Sequence, residues 1–359
     1  MSKRTIIPFG PQHPVLPEPI HLDLVVEDER VVEALPTIGF IHRGLEKLVE
    51  KKDFQEFVYV AERICGICSA IHGQTYCQAI EEIMNIPVPP RAHYLRTIWG
   101  ELSRIHSHLL WAGLLADAFG FESLFMHSWR VRERVLNVIE ATTGGRVIFG
   151  ACKVGGVRRD IDAEQMRHLL KELDIIETDM KEIVKVFLAD SSVKQRLCGV
   201  GVLSKAEAYQ LGCVGPMARA SGVTQDMRSI GYAAYKDLSF KPAISQDGDS
   251  FARCAVRCEE LFQSADLIRQ AAAKIPAGEL AAKVTGNPNG EFAARTEQPR
   301  GEVIYYIKAN GMKNVQRMRV RTPTFANIPA LVKILQGCEL SDVPVLVLTI
   351  DPCISCTER

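Results

Sequence analysis

Between residues 91 and 119, apolar side chains recur every three or four positions, at Leu95, Ile98, Leu102, Ile105 and Leu109. That spacing predicts a long amphipathic helix with one buried stripe. The same period over residues 123–142, 162–188 and 250–273 predicts three more, with Asp162 standing where an N-cap belongs. Residues 53–84 also read as helical, interrupted around Cys65-Gly66-Ile67-Cys68. Near the start of the chain the period changes. β-branched runs at 20–26 and 30–34 flank Glu27-Asp28-Glu29 and predict a β-hairpin. The stretch before them, 6–19, carries Pro8, Gly10, Pro11, Pro14, Pro17 and Pro19 and predicts an ordered loop. Past Ile275, a turn cluster at Gly286-Asn287-Pro288-Asn289-Gly290 precedes expected strands at 301–307 and 315–320. The apolar run 344–350 is expected to be buried and to deliver Asp351-Pro352-Cys353 to the chain end. No repeat, low-complexity tract or linker interrupts this pattern. The expected fold is mainly α with small β elements (α+β), a long-helix bundle forming one domain over residues 1–359.

Composition narrows the class. Of 359 residues, 47% are hydrophobic and 24% charged, ample for a real core. Forty-three basic residues balance forty-three acidic ones, which argues against nucleic acid as a partner. The longest apolar run, 109–116, stops at Asp117, well short of the ~18 residues of a membrane span. No hydrophobic signal region follows the first residues. The expectation is a cytoplasmic chain that meets a membrane only through other subunits.

Cysteine changes the picture most. There are eleven, and four of them form two C-x-x-C pairs at opposite ends of the chain, Cys65/Cys68 and Cys353/Cys356. In a reducing compartment, clustered cysteines point to metal or redox chemistry. Each pair can place two sulfurs on one metal, and two pairs can close a four-thiolate site. A non-catalytic zinc scaffold is one reading of that spacing. Structural zinc usually closes short segments, whereas this site joins the two ends of a well-cored chain. The other seven cysteines, Cys254 and Cys258 among them, read as small buried hydrophobes.

The residues around the pairs go further. Arg63-Ile64-Cys65-Gly66-Ile67-Cys68 and Asp351-Pro352-Cys353-Ile354-Ser355-Cys356 resemble the two signature motifs of nickel–iron hydrogenase large subunits. Gly10-Pro11-Gln12-His13-Pro14 and Ile41-His42-Arg43-Gly44-Leu45-Glu46-Lys47-Leu48 resemble motifs shared with the quinone-binding large subunit of respiratory complex I, a relative without the metal cysteines. The combination resembles the membrane-bound, energy-converting hydrogenases. The short chain, without the added N-terminal domain of the formate hydrogenlyase large subunit, is most similar to the Ech type. The resemblance runs over residues 8–359.

That resemblance implies a Ni–Fe centre held by Cys65, Cys68, Cys353 and Cys356. Cys68 and Cys356 would bridge nickel to a low-spin iron carrying cyanide (CN) and carbon monoxide (CO). It implies that Glu18 passes protons, that Arg300 stands over the open metal face, and that Asp351 supplies polar surroundings. Ser107, between His106 and His108, stands where many soluble members have an aspartate. Glu46 matches a magnesium-binding glutamate, but residue 359, where a histidine often completes that Mg site, is an arginine, which cannot ligate a cation. The end at Cys356-Thr357-Glu358-Arg359 resembles the family's processed C-terminus. With no further cysteine cluster here, electrons are expected through a small iron–sulfur subunit. The resemblance also implies another hydrophilic iron–sulfur subunit fed by reduced ferredoxin, and integral membrane subunits that translocate protons or sodium ions. His13 and its loop are expected to couple the site to the membrane arm. The implied activity is reversible reduction of protons to H2. A quinone-reductase subunit of the complex I type is the alternative within the same superfamily.

Overall fold

The structure, a computed structural model, describes residues 4–359. Three antiparallel strands open it in the order β1 (Thr5–Phe9), β2 (His21–Glu27) and β3 (Arg30–Thr37). The β2–β3 hairpin matches the expected one. Strand β1 corrects the expectation of an irregular loop over 6–19, which is confined to the residues after Phe9. Both prolines in this sheet, Pro8 and Pro36, lie on its edge strands, where a missing N–H does not break a central ladder. Leu22, Leu24 and Val26 point inward from β2.

Helices α1 (Phe57–Glu62) and α2 (Ser69–Met84) flank the segment that carries the first cysteine pair. Helix α3 (Pro90–Ala118) has 29 residues and is about 43 Å long at the usual rise. All five predicted stripe residues, Leu95 to Leu109, are buried. Helices α4 (Glu122–Thr143), α5 (Ala163–Ala189) and α6 (Ser250–Lys274) pack around it, each close to its predicted span. Asp162 caps α5 in a capping box with Gln165, satisfying two otherwise orphaned amides reciprocally.

A second antiparallel sheet follows the order β4 (Asn289–Gln298), β5 (Gly301–Asn310) and β6 (Arg317–Arg321). Strand β4 was not expected. Its outer half is exposed and its inner half buries Thr296, Glu297 and Gln298, so no apolar alternation marks it. The β4–β5 turn lifts Pro299-Arg300 to its tip, and Gly301 (φ 129°) lets that tip press on the backbone of Gly215. A Cβ on Gly301 would lie 2.7 Å from Gly215 Cα. Helices α7 (Pro323–Leu335), α8 (Val343–Thr349) and α9 (Ile354–Glu358) complete the chain. The sequence hid α7 behind Pro323 and Pro329. Pro323 sits in the first turn, where no N–H is needed. Residues 344–350 are buried as expected, mostly as α8.

Three apolar clusters form the core: α3 to α6; the first sheet with α7 and α8; and α1 and α2 with the second sheet. Between α3, α6 and β4 lies an ionic cluster with essentially no solvent exposure. Arg219 bonds Glu260 (2.6 Å) and Glu297 (2.8 Å), Arg228 bonds Asp226 (2.8 Å), Arg104 reaches Glu101 (3.3 Å), and His108 bonds Glu260 (2.9 Å). Among the described residues, no helix is long and apolar enough to cross a membrane.

Candidate metal centre

Two chain breaks bring the cysteines together. The first is the non-helical turn between α1 and α2, and the second is Asp351-Pro352, where Asp351 adopts φ 56°. The sulfurs of Cys65 and Cys353 lie 3.3 Å apart and those of Cys68 and Cys356 3.4 Å apart. All four side chains are buried, none forms a disulfide, and together they make a cluster separate from the apolar core. Sulfurs of Cys65, Cys68 and Cys356 all fall within 4.8 Å of one another, close enough to share one ion. Hydrogen bonds from the other cysteines, Cys353 first, hold the Cys65 thiol well below its usual range. Burial pushes Cys68 and Cys356 up, and the neighbouring Cys65 adds to both. Burying several thiolates side by side is costly unless a cation offsets their charge.

Arg300 reaches the centre from the tip of the β4–β5 turn. It donates to Asp351 through Nη2 to Oδ1 (2.8 Å) and Nε to the backbone oxygen (2.7 Å), and through Nη1 to Ser107 Oγ (3.3 Å). Burial opposes its charge, but Asp351 and the thiolates of Cys353 and Cys65 raise its pKa well above the ordinary value. Asp351 Oδ2 is buried with no hydrogen-bond partner among the described residues. Glu18 lies on the other flank. Its carboxylate accepts from the Ile354 and Ser355 amides and from the Ser355 hydroxyl, and none of its hydrogen bonds among the described residues reaches a sulfur. The site thus unites Glu18, Arg300, Asp351 and the four cysteines, residues drawn from almost the whole chain.

The chain matches two families. Residues 118–286 and 280–359 match "Respiratory-chain NADH dehydrogenase, 49 Kd subunit", and residues 43–116 match "Nickel-dependent hydrogenase". It is 42% identical to the carbon monoxide-induced hydrogenase of Rhodospirillum rubrum over the full length of both chains. It is also 40% identical to the membrane-bound hydrogenase subunit alpha of Pyrococcus furiosus, across 98% of this chain and 87% of that one. The chain belongs to the nickel–iron hydrogenase large subunit and complex I 49-kDa subunit family. A solved chain of the membrane-bound sulfane sulfur reductase, an archaeal respiratory membrane complex, superposes with a TM-score of 0.95 at 30% identity, covering 99% of this chain and 98% of that one.

The residues present fit a nickel–iron centre. Four buried thiols supply the soft, anionic donor set that such metals need. The orphaned Asp351 Oδ2 is a polar atom with nothing else to serve. Glu46, by contrast, already has two cationic partners. It accepts from Arg319 Nη1 (2.7 Å), Arg359 Nε (2.9 Å) and the Val320 amide (2.8 Å), so the Arg359 guanidinium takes the place a magnesium ligand would complete. His13 is half-buried, with its ring 4.3 Å from that of Phe9 and Nδ1 accepting from the Val15 amide.

Several site residues escaped the sequence analysis. His72 lies within hydrogen-bond reach of Cys356 Sγ through Nε2 (3.3 Å) and of the Tyr305 hydroxyl through Nδ1 (2.6 Å). Burial lowers its pKa to about 4, so the ring is neutral. Turning the Gln298 amide over gives its partnerless Oε1 the Nε2–H of His72, with Tyr305 donating to Nδ1. The signal was present in the sequence: His72 stands four residues after Cys68, on the face of α2 that meets the centre. Thr324 Oγ1 accepts from the Cys353 amide (3.1 Å).

Proposed function

We propose that this chain is the catalytic subunit of an energy-converting [NiFe] hydrogenase that reversibly reduces protons to H2. The observation that carries this reading is the convergence of both C-x-x-C pairs into one buried four-thiol cluster, which a quinone reductase has no use for. In this reading the chain acts as one domain whose two ends close over the metals. Cys65, Cys68, Cys353 and Cys356 would hold the nickel, and Cys68 and Cys356 would also be ligands of the iron with its CO and CN. Bound there, the centre supplies the site at which two protons and two electrons combine.

The chain's own groups do the rest. Arg300, fixed by Asp351 and Ser107, presents a permanent positive charge to the cluster without exchanging its proton. Glu18 holds a titratable carboxyl against Ser355, between the two cysteines of the second pair, and moves protons between the sulfurs and solvent. Electrons come from reduced ferredoxin through iron–sulfur partner subunits. The chain sits peripherally on the cytoplasmic side of a membrane complex whose integral subunits translocate ions.

The match of residues 118–359 to the 49-kDa subunit favours a complex I type quinone activity as the second reading, and the sulfane sulfur reductase relative adds a third acceptor. Purified complex decides among them. We expect nickel in step with this chain, iron in excess of nickel because the partner subunits' clusters add their own, and H2 evolution with reduced ferredoxin. Quinone or polysulfide reduction without nickel would overturn the proposal, and zinc in the cysteine site would return it to a scaffold.

A further inference from the structure

Several polar groups of the segment 39–46 reach the two cysteine motifs and the two residues at the chain's end. Arg43 donates Nη1 to the Arg63 carbonyl (2.9 Å) and Nη2 to the Ile64 carbonyl (2.8 Å), the two residues immediately before Cys65. The same Nη2 donates to the carbonyl of Ser355 (3.0 Å), between Cys353 and Cys356. One planar guanidinium therefore holds both cysteine loops at once. Around it the contacts repeat: the Gly39 and Ile41 amides donate to the two oxygens of Glu358, and His42 Nδ1 lies 2.7 Å from the Glu358 carbonyl. Glu46 adds the bond to Arg359. Gly44, with φ 66°, supplies the turn that sends Arg43 toward the cysteine loops while Glu46 faces Arg359.

The Arg63 and Ile64 carbonyls lie just past the end of α1, where backbone oxygens lack helical partners and attract a cation. The Ser355 carbonyl belongs to α9, a single short turn with little stability of its own. Among the described residues, the hydrogen bonds that join the two loops directly are those between their cysteine sulfurs.

We infer that Arg43 is the positioning residue that sets the spacing between the two cysteine pairs, and that residues 39–46 hold the C-terminal pair in register with the N-terminal one. A lysine cannot replace it, because an ammonium lacks the fork that reaches three carbonyls in fixed directions. The inference deepens the metal-site reading above, yet it needs only four converging thiols, whatever metal they hold in the cell.

Cobalt(II) is the probe, added to the full-length chain produced without nickel, and the readout is the thiolate-to-cobalt absorption band. The parent chain should show the intensity of a four-thiolate site. Arg43→Ala should bind cobalt at least about ten-fold more weakly, in line with loss of a group that orients metal ligands. Its band should fall to roughly half, as the C-terminal pair drops out of the ligand set. Arg43→Lys should lie between the two, and it decides the matter should the alanine variant not fold. Arg43 is largely exposed, so the unfolding midpoint should move little. Parent-like affinity and band intensity in both variants would overturn the inference. If the parent binds cobalt through four thiolates while the purified complex holds no nickel, the proposed function fails and the role of Arg43 stands.

Discussion

Helix α3 contributes to two buried polar regions that solve the same problem in opposite ways. Toward α6 and β4, its Glu101, Arg104 and His108 join Arg219, Asp226, Arg228, Glu260 and Glu297. Three guanidiniums there face four carboxyls. The excess acid is absorbed by Glu297, which burial and then the Asp226 charge raise to about 7, so that it keeps a proton in mildly acidic solution. That cluster matches its charges internally, although His108 Nδ1 has no hydrogen-bond partner among the described residues. Toward the cysteines, α3 offers Ser103 and Ser107, whose hydroxyls bond the Ile67 carbonyl and Arg300. Four thiols and Asp351 there face the Arg300 guanidinium, with the buried Arg257 charge acting on Asp351 from beyond hydrogen-bond reach, and Asp351 Oδ2 has no hydrogen-bond partner among the described residues. One region is a closed ionic network; the other is a donor set short of cations. Burying charge is costly unless it is matched, so the imbalance marks the functional site.

This contrast predicts different failures. Cys68→Ser should abolish nickel incorporation and H2 evolution, because a hydroxyl is a hard donor that cannot stand in for a thiolate. Metal analysis should show the loss while the unfolding midpoint of the chain stays near the parent's; full nickel content with normal turnover would refute the assignment. Glu18→Gln should keep both metals and lower H2 evolution and hydrogen–deuterium exchange by about 10²-fold or more. Conversion between ortho- and para-hydrogen, which needs only binding and splitting, should survive better. Ordinary exchange rates would make Glu18 only a support for the α9 backbone.

Damage to the closed network should show in stability instead. Arg219→Met removes the guanidinium that Glu260 and Glu297 share, leaving Glu260 with Arg104 at 3.6 Å, and denaturant titration should show a loss of about 3–5 kcal/mol. A loss below about 1 kcal/mol would mean that the cluster is hydrated or rearranges freely. The smallest effect concerns pH. Glu297 binds its proton more tightly in the folded chain than in the unfolded one, so its contribution is complete below about pH 4.5 and is lost as pH rises through about 7. Glu297→Gln removes this dependence, and its stability relative to the parent should improve between pH 5 and 8. An unchanged difference across that range would show that Glu297 is ionised throughout.

The long helices were legible because each buries one stripe, and residues such as Leu95 and Leu109 announce it at regular intervals. Strand β4 and helix α7 were not. The inner end of β4 serves the ionic network rather than an apolar core, and Pro329 lies inside α7 where sequence reasoning reads a break. The meeting of the four cysteines was legible because two C-x-x-C pairs can close on one ion, whereas the choice of metal came from the surrounding motifs and not from the spacing. His72, Tyr305 and Arg43 were not, since each acts through contacts made only when distant segments meet: Arg43 touches Ser355 across 312 residues. Glu46 shows the limit of motif reading. Its pattern fits a cation ligand, but Arg319 and Arg359 occupy it.

In the proposed reading the four-thiol cluster holds nickel and an iron with diatomic ligands. Infrared spectroscopy of the purified complex tests it most directly, because bound CO and CN absorb where protein and water do not. One CO band and bands from CN should appear, shift together when the sample is reduced under H2, and vanish in Cys68→Ser. A complex that is fully loaded with metal, active with quinone or sulfur acceptors, and silent in that window would contradict it.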